Sequence, residues 1–308
     1  MKILVTGVNG QLGHDVMNEL ALRGIDGIGS DITGAYAGMS DGTPVTGMMY
    51  VPLDITNRES VECVIRETGP DAVIHCAAWT SVDAAEETEN RDKVYAVNAL
   101  GPKYLAGACA ENGVKMMLIS TDYVFDGQGT EPREPDDEAY CPLNVYGQTK
   151  LAGEKAVREC LREFFIVRIA WVFGQNGNNF VKTMLKAGKT HHVLRVVDDQ
   201  IGTPTYTADL ARLLVDMILT DRYGIYHATN EGGFISWYDF AREIFRIAGT
   251  DNEIIPVTTA EYGAAKARRP FNSRLSKRKL AENGFKPLPD WRDALRRYIA
   301  SLDLSAMN

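Results

Sequence analysis

The stretch Met1-Lys-Ile-Leu-Val-Thr-Gly-Val-Asn-Gly-Gln-Leu-Gly13 decides the fold. An apolar run through Ile3, Leu4 and Val5 passes directly into glycines at 7, 10 and 13, and Val16, Leu20 and Leu22 continue at helical spacing. Strand, glycine turn and helix in that order make a seat for a pyrophosphate. The turn must be tight, the backbone must approach the anion closely, and the helix N-terminus faces it with unpaired N–H groups. Gly7, Gly10, Gln11, Leu12 and Gly13 are therefore expected to cradle the pyrophosphate of a dinucleotide. The spacing Gly-x-x-Gly-x-x-Gly differs from the Gly-x-Gly-x-x-Gly of the common dehydrogenases.

Outward from this stretch, strand-like runs at Ile3 to Val5, Gly27 to Ser30, Ala72 to Cys76, Met116 to Ser120 and Phe165 to Ala170 alternate with helix-like patterns. The latter lie near 11–23, 57–68, 90–112 and 146–163. Such alternation predicts an α/β fold, a doubly wound Rossmann-like parallel sheet. Ligands of these sheets bind at the carboxyl ends of the strands. Thr6-Gly7, Asp31, Ala77-Ala78, Ser120-Thr121 and Trp171 fall at such ends. Residues 33–50 show neither period and are expected to form a long loop after the second strand. Beyond 171, helix-like stretches near 179–188, 207–220, 236–249, 275–283 and 290–300 and short strands near 193–197 and 224–229 predict a smaller, interleaved C-terminal substrate lobe. The expected division is a dinucleotide-binding domain over 1–172, completed by parts of 193–229, and a substrate-binding lobe over 173–308.

At 308 residues with a formal net charge of −8, the chain is large enough for a substantial core and poorly suited to a nucleic-acid backbone. No apolar stretch reaches the length of a membrane span, and the first strand begins at the N-terminus, so a cytoplasmic protein without a signal peptide is expected. Cys63, Cys76, Cys109, Cys141 and Cys160 make an odd number with no Cys-x-x-Cys pair and read as reduced thiols. His14, His75, His191, His192 and His227 offer no zinc spacing.

Tyr146 and Lys150 stand four apart at the start of a helical pattern, so their side chains share one face. A free phenol ionises near about 10, and a neighbouring ammonium lowers that value. The pair is expected to be a tuned proton donor. Asp31, at the end of the second strand, is placed to accept from a ribose 2′-hydroxyl and to repel a 2′-phosphate, which favours NADH. Residues 266–279 carry seven basic residues and no acid. Such a run is either a solvated basic edge or a clamp for a phosphorylated substrate, because arginine offers a planar fork to phosphate oxygens.

Ser120-Thr-Asp-Tyr-Val-Phe-Asp-Gly127, Pro142-Leu-Asn-Val-Tyr-Gly-Gln-Thr-Lys-Leu-Ala-Gly-Glu154 and Val197-Asp-Asp-Gln-Ile-Gly-Thr-Pro-Thr205, taken with the glycine turn, resemble the extended short-chain dehydrogenase/reductases. More narrowly they resemble the dTDP-4-dehydrorhamnose reductase family, over nearly the whole chain. The resemblance implies reduction of a 4-keto nucleotide sugar with NADPH or NADH. It assigns Tyr146 as proton donor, Lys150 as the cation that lowers its pKa and binds the nicotinamide ribose, and Thr121 as the hydroxyl that polarises the carbonyl. Asp122 and Tyr123 would touch the sugar or help orient Tyr146, and Trp171 would offer an apolar face to the sugar or thymine. Asn98 would hold a relay water, Asp54 and Ile55 would flank the adenine, and Ala77, Ala78 and Trp79 would line the middle of the cofactor. Arg268 and Arg269 would bind the substrate diphosphate. A magnesium ion at a homodimer contact is also implied, with Asp15 as the matching carboxylate.

Two other readings share the superfamily. Dehydratases carry an Asp-Glu pair after the catalytic Thr, whereas Asp122 is followed here by Tyr123, which disfavours elimination; an epimerase stays open. A regulatory subunit resembling that of methionine adenosyltransferase would be a binding partner, and retention of Thr121, Tyr146 and Lys150 argues for catalysis instead.

Overall fold

Seven parallel strands form the central sheet of the computed structural model, which describes residues 1–40, 42–263 and 265–303. Their spatial order is Gly224–His227, Phe164–Ile169, Lys115–Thr121, Ala72–His75, Lys2–Thr6, Asp26–Asp31 and Met49–Pro52. The chain order reverses between Lys2–Thr6 and Ala72–His75, where Thr6 is in register with His75. That reversal is the crevice at which doubly wound sheets bind nucleotides.

The strands are continuously apolar because helices cover both faces. Alternation sends Ile3 and Val5 towards the helices Gln11–Leu22 and Thr207–Ile218, and Leu4 towards Arg58–Thr68 and Gly101–Asn112. Each such side chain removed from water stabilises the fold by roughly 1.5–3 kcal/mol. A smaller aromatic core, built on Phe173, Tyr206, Phe240, Trp291 and Tyr298, holds the C-terminal elements together.

Three sequence expectations need correction. Residues 49 and 50 are not loop: Met49–Pro52 is the edge strand, too short and too exposed to show alternation in sequence, and it closes on a proline that an edge tolerates. On either side of residue 41 the segment meets the first helix, with Tyr36 Oη against His14 Nδ1 at 2.6 Å and Val45 N donating to Asn18 Oδ1 at 3.0 Å. The helix expected over 90–112 is broken by a wide π turn at Ala96–Leu100, and that near 275–283 shrinks to Arg278–Glu282. Of the later strands, Gly224–His227 extends the main sheet, while Val193–Val197 pairs separately with Glu253–Val257. Among the described residues, no helix is long and apolar enough to cross a membrane.

Candidate active site

Gly7 sits at φ +76°, and a Cβ there would come within 2.5 Å of Ala77 N. No side chain fits this close approach of the two strand ends. Gly13 is bare for another reason: a Cβ would run into the carbonyl of Gly7, so the first helix packs directly on the turn. Gly10 begins that helix without a side-chain cap and with no acid in the first turn, which leaves the N–H groups around Gln11 and Leu12 to an incoming anion. The cradle therefore fits a dinucleotide pyrophosphate.

Asp31 stands beside this turn, its Oδ2 accepting from Asn9 N at 3.0 Å and its Oδ1 from Ile32 N at 2.8 Å. Asp54 instead closes a local turn, with Oδ1 accepting from the amide and hydroxyl of Thr56 at 2.9 and 2.7 Å, and Ile55 is buried against Gly101. Ala77 and Ala78 follow the Ala72–His75 strand into the crevice. Trp79 N donates to Asn98 Oδ1 at 2.9 Å, and Asn98 Nδ2 returns to Trp79 O and to Thr149 Oγ1, both at 3.2 Å. Asn98 is thus a strut between the cofactor crevice and the Val145–Cys160 helix. It lies on the π turn, whose extra residue aims the amide inward.

The Val145–Cys160 helix starts at Asn144, whose side chain accepts from Gly147 N at 2.8 Å. Gly147 lets that first turn rest on the carbonyl of Tyr123. Tyr146 is thereby brought to the end of the strand that carries Thr121. Thr121 Oγ1 also donates to Asp122 Oδ1 at 3.0 Å and accepts from Tyr123 N at 3.2 Å. The rings of Tyr123 and Tyr146 meet edge to face at 5.5 Å.

Lys150 is anchored to the neighbouring strand. Its Nζ donates to Ile119 O at 2.7 Å. Burial holds the Tyr146 phenol above its ordinary value, the Thr121 hydrogen bond pulling the other way and Asp122 adding to the rise. Sharing a helix face brings two residues near each other, but desolvation of the phenol outweighs it and the long lysine stem turns towards the strand carbonyl. Burial also lowers Lys150 to about 8, against the upward pull of Glu154 and Cys76. The Asp122 carboxyl is pushed up to about 6 by burial, with Ser273 and Thr121 opposing.

From the C-terminal side, Trp171 enters at φ +50°, the only described residue other than glycine with a positive φ. One face of its indole is already stacked on Trp237 at 3.7 Å and 14°. The other face is the one that can meet a ligand. The basic run largely pairs internally: Lys266 with Glu87, Arg269 with Asp83, Lys277 with Glu231, Arg278 with Glu134 and Lys279 with Asp136. Arg269's fork is thus engaged by a carboxylate, and Arg268 is exposed with no ion pair among the described residues.

Asp83, Ser273, Trp237, Glu154 and Arg168 are the neighbours that motif reading missed. Only Glu154 had a signal, four residues after Lys150 on the same helix face. The negative charge of Asp15 helps to hold the Tyr206 and Tyr298 phenols above their ordinary range, and no group of three His, Cys, Asp or Glu suited to a metal occurs among the described residues.

The family model described as "RmlD substrate binding domain" matches residues 1–304. A crystal structure of a dTDP-4-dehydrorhamnose reductase from Clostridium acetobutylicum superimposes with a TM-score of 0.88 at 43% identity, covering 97% of this chain and 99% of the other. The Bacillus anthracis dTDP-4-dehydrorhamnose reductase, solved in complex with NADP, gives 0.85 at 39% identity over 98% and 100%. The Mycobacterium tuberculosis dTDP-4-dehydrorhamnose reductase is 40% identical over 97% of this chain and 93% of its own.

Proposed function

The chain belongs to the dTDP-4-dehydrorhamnose reductase family, and from that premise we propose that it reduces the 4-keto group of dTDP-4-dehydro-L-rhamnose to give dTDP-L-rhamnose. It is an NAD(P)H-dependent oxidoreductase of nucleotide-sugar biosynthesis. The observation that carries the reading is the packing of Tyr146 on Tyr123, at the strand end that carries Thr121, beside a crevice built to seat a dinucleotide.

Reduction of a ketone needs a hydride at carbon and a proton at oxygen. The bound reduced nicotinamide supplies the hydride. Tyr146, kept protonated by burial, donates the proton to the carbonyl oxygen. Thr121 polarises that oxygen, its hydroxyl already oriented by Asp122 and Tyr123 N. Lys150, fixed by Ile119 O, presents positive charge to the nicotinamide ribose and to the charge developing on the phenol.

Gly7, Gly10, Gln11, Leu12 and Gly13 hold the pyrophosphate. Asp31, Asp54 and Ile55 take the adenosine end, and Ala77, Ala78 and Trp79 the middle. Asp122, Tyr123 and the open edge of Trp171 meet the sugar, and Arg268 its diphosphate, with Arg269 alongside. Residues 1–172 with the Gly224–His227 strand form the dinucleotide-binding part, and 173–308 supply mainly the substrate lobe. The free thiols suit a reducing cytoplasm, and a homodimer is the proposed assembly.

The test is oxidation of NADH and of NADPH in the presence of dTDP-4-dehydro-L-rhamnose, with the product sugar identified by NMR. Cofactor binding without turnover of this substrate would overturn the assignment.

A further inference from the structure

A fully buried ion pair lies directly behind the catalytic helix. Arg168 and Glu154 side chains are 0% and 2% exposed, with Nη2 to Oε2 at 2.7 Å and Nε to Oε1 at 2.9 Å. Glu154 Oε1 also accepts from Ser120 Oγ at 2.5 Å. Ser120 and Arg168 are register partners on adjacent strands, so one carboxylate gathers both. Arg168 is held in turn by Pro135 O at 3.1 Å and Tyr140 Oη at 3.0 Å, and its guanidinium lies over Phe125 at 5.0 Å. Burying two charges is costly, and a hydrophobic pair of similar volume is often as stable, so this network is weakly explained by stability alone.

Its placement offers a different reason. Ser120 precedes Thr121 on the strand, and Glu154 follows Lys150 by one helical turn. We propose that Glu154 is a positioning residue of the reductase: it clamps the Ser120-Thr121 strand end to the Tyr146–Lys150 helix and sets a buried carboxylate one helical turn from Lys150. Arg168 holds the Glu154 carboxylate in place with Nε and Nη2. The inference rests on the reductase reading for the role of Lys150 and Thr121.

The groups acting on Lys150 from the elements packed around it are few. Ile119 O accepts a hydrogen bond from it on one strand, and His75 and Cys76, at the end of the next, feel its charge. His75 is kept neutral by burial, its value near 3, and the Cys76 thiol is pushed up to about 12. Glu154 is the full negative charge opposing the desolvation of Lys150. Without it the lysine loses its proton at a lower pH.

The experiment compares wild type with Glu154→Gln across pH 5.5–9.5, reading kcat/KM and, without substrate, NADPH affinity by fluorescence. The alkaline limb of both curves is expected to move down by about one pH unit, so that affinity falls about tenfold above pH 8 and little at pH 6. Glu154→Gln/Arg168→Met removes both charges and avoids an orphaned guanidinium should the single variant fail to fold. It is expected to show the same acidward limb. Ser120→Ala is expected to lower kcat about tenfold with KM within twofold and the limb unmoved. Limbs superimposable on wild type in the Glu154 variants, or a wild-type kcat in Ser120→Ala, would overturn the proposal. Wild type that binds NADPH yet leaves the keto sugar untouched would instead sink the reductase reading, and the affinity titration would still report on Glu154.

Discussion

The guanidinium of Arg269 grips the carboxylate of Asp83 with two prongs, Nη2 to Oδ2 at 2.7 Å and Nη1 to Oδ1 at 3.2 Å. Asp83 also accepts from Ala267 N at 2.9 Å, and Lys266 Nζ donates to Glu87 at 2.8 Å. A segment near the C-terminus is thereby stapled to the loop that leaves the fourth strand in sequence. In partial solvent such a pair contributes about 1 kcal/mol or less, so its value lies in where it holds the chain.

Both Arg269→Ala and Asp83→Asn are therefore expected to raise KM for the nucleotide sugar several-fold, with kcat little changed and the double variant no worse than either single one. A simple phosphate clamp predicts the reverse for Asp83→Asn, since freeing the fork would tighten dTDP binding. Arg268→Ala is expected to weaken dTDP binding as measured by calorimetry, because its exposed guanidinium makes no ion pair among the described residues.

Tyr146→Phe removes the proton donor and keeps the ring that packs on Tyr123. Turnover is expected to fall by at least about a thousandfold while NADPH affinity stays within a few-fold. Stopped-flow measurement with each cofactor checks this, and near wild-type turnover would remove Tyr146 from the mechanism.

Asp31 is pinned beside the glycine turn by two backbone amides, and residues 33–50 contain no Lys or Arg to receive a 2′-phosphate. NADH is expected to be used at least as well as NADPH, and Asp31→Ala should shift the ratio of kcat/KM values towards NADPH by about tenfold, or about 1.4 kcal/mol. A tenfold native preference for NADPH would show that the carboxylate does not meet the ribose hydroxyl.

His75 is buried with Nδ1 at 2.6 Å from Thr6 Oγ1, and burial lowers it from 6.5 to about 3. The unfolded chain takes up a proton below about 6.5 that the folded protein refuses, so stability is fully present above that pH and is lost as pH falls towards 3. The slope is about 1.4 kcal/mol per pH unit for one such group. His227, lowered in the same direction by burial, adds to it. Urea midpoints between pH 7.5 and 4.5 are expected to fall steeply in wild type and less steeply in His75→Asn; parallel slopes would contradict the assignment.

The sequence by itself determined the architecture and the positions of its chemistry. Strand-helix alternation is a local pattern, and the glycines at 7 and 13 mark places where the backbone comes so close that no Cβ fits. Tyr146 and Lys150 share a helix face by periodicity alone. Only the tertiary structure decided what those groups touch. Burial, a property of the packed whole, raised the phenol that a neighbouring lysine was expected to lower. Partners distant in sequence turned a basic run into a strap, Arg269 finding Asp83 across 186 positions and Lys279 finding Asp136 across 143. The edge strand Met49–Pro52 stayed hidden because half-exposed pairing leaves too little apolar alternation to read. Hydrogen bonds and desolvation act between residues that only folding brings together, and no spacing along the chain encodes them.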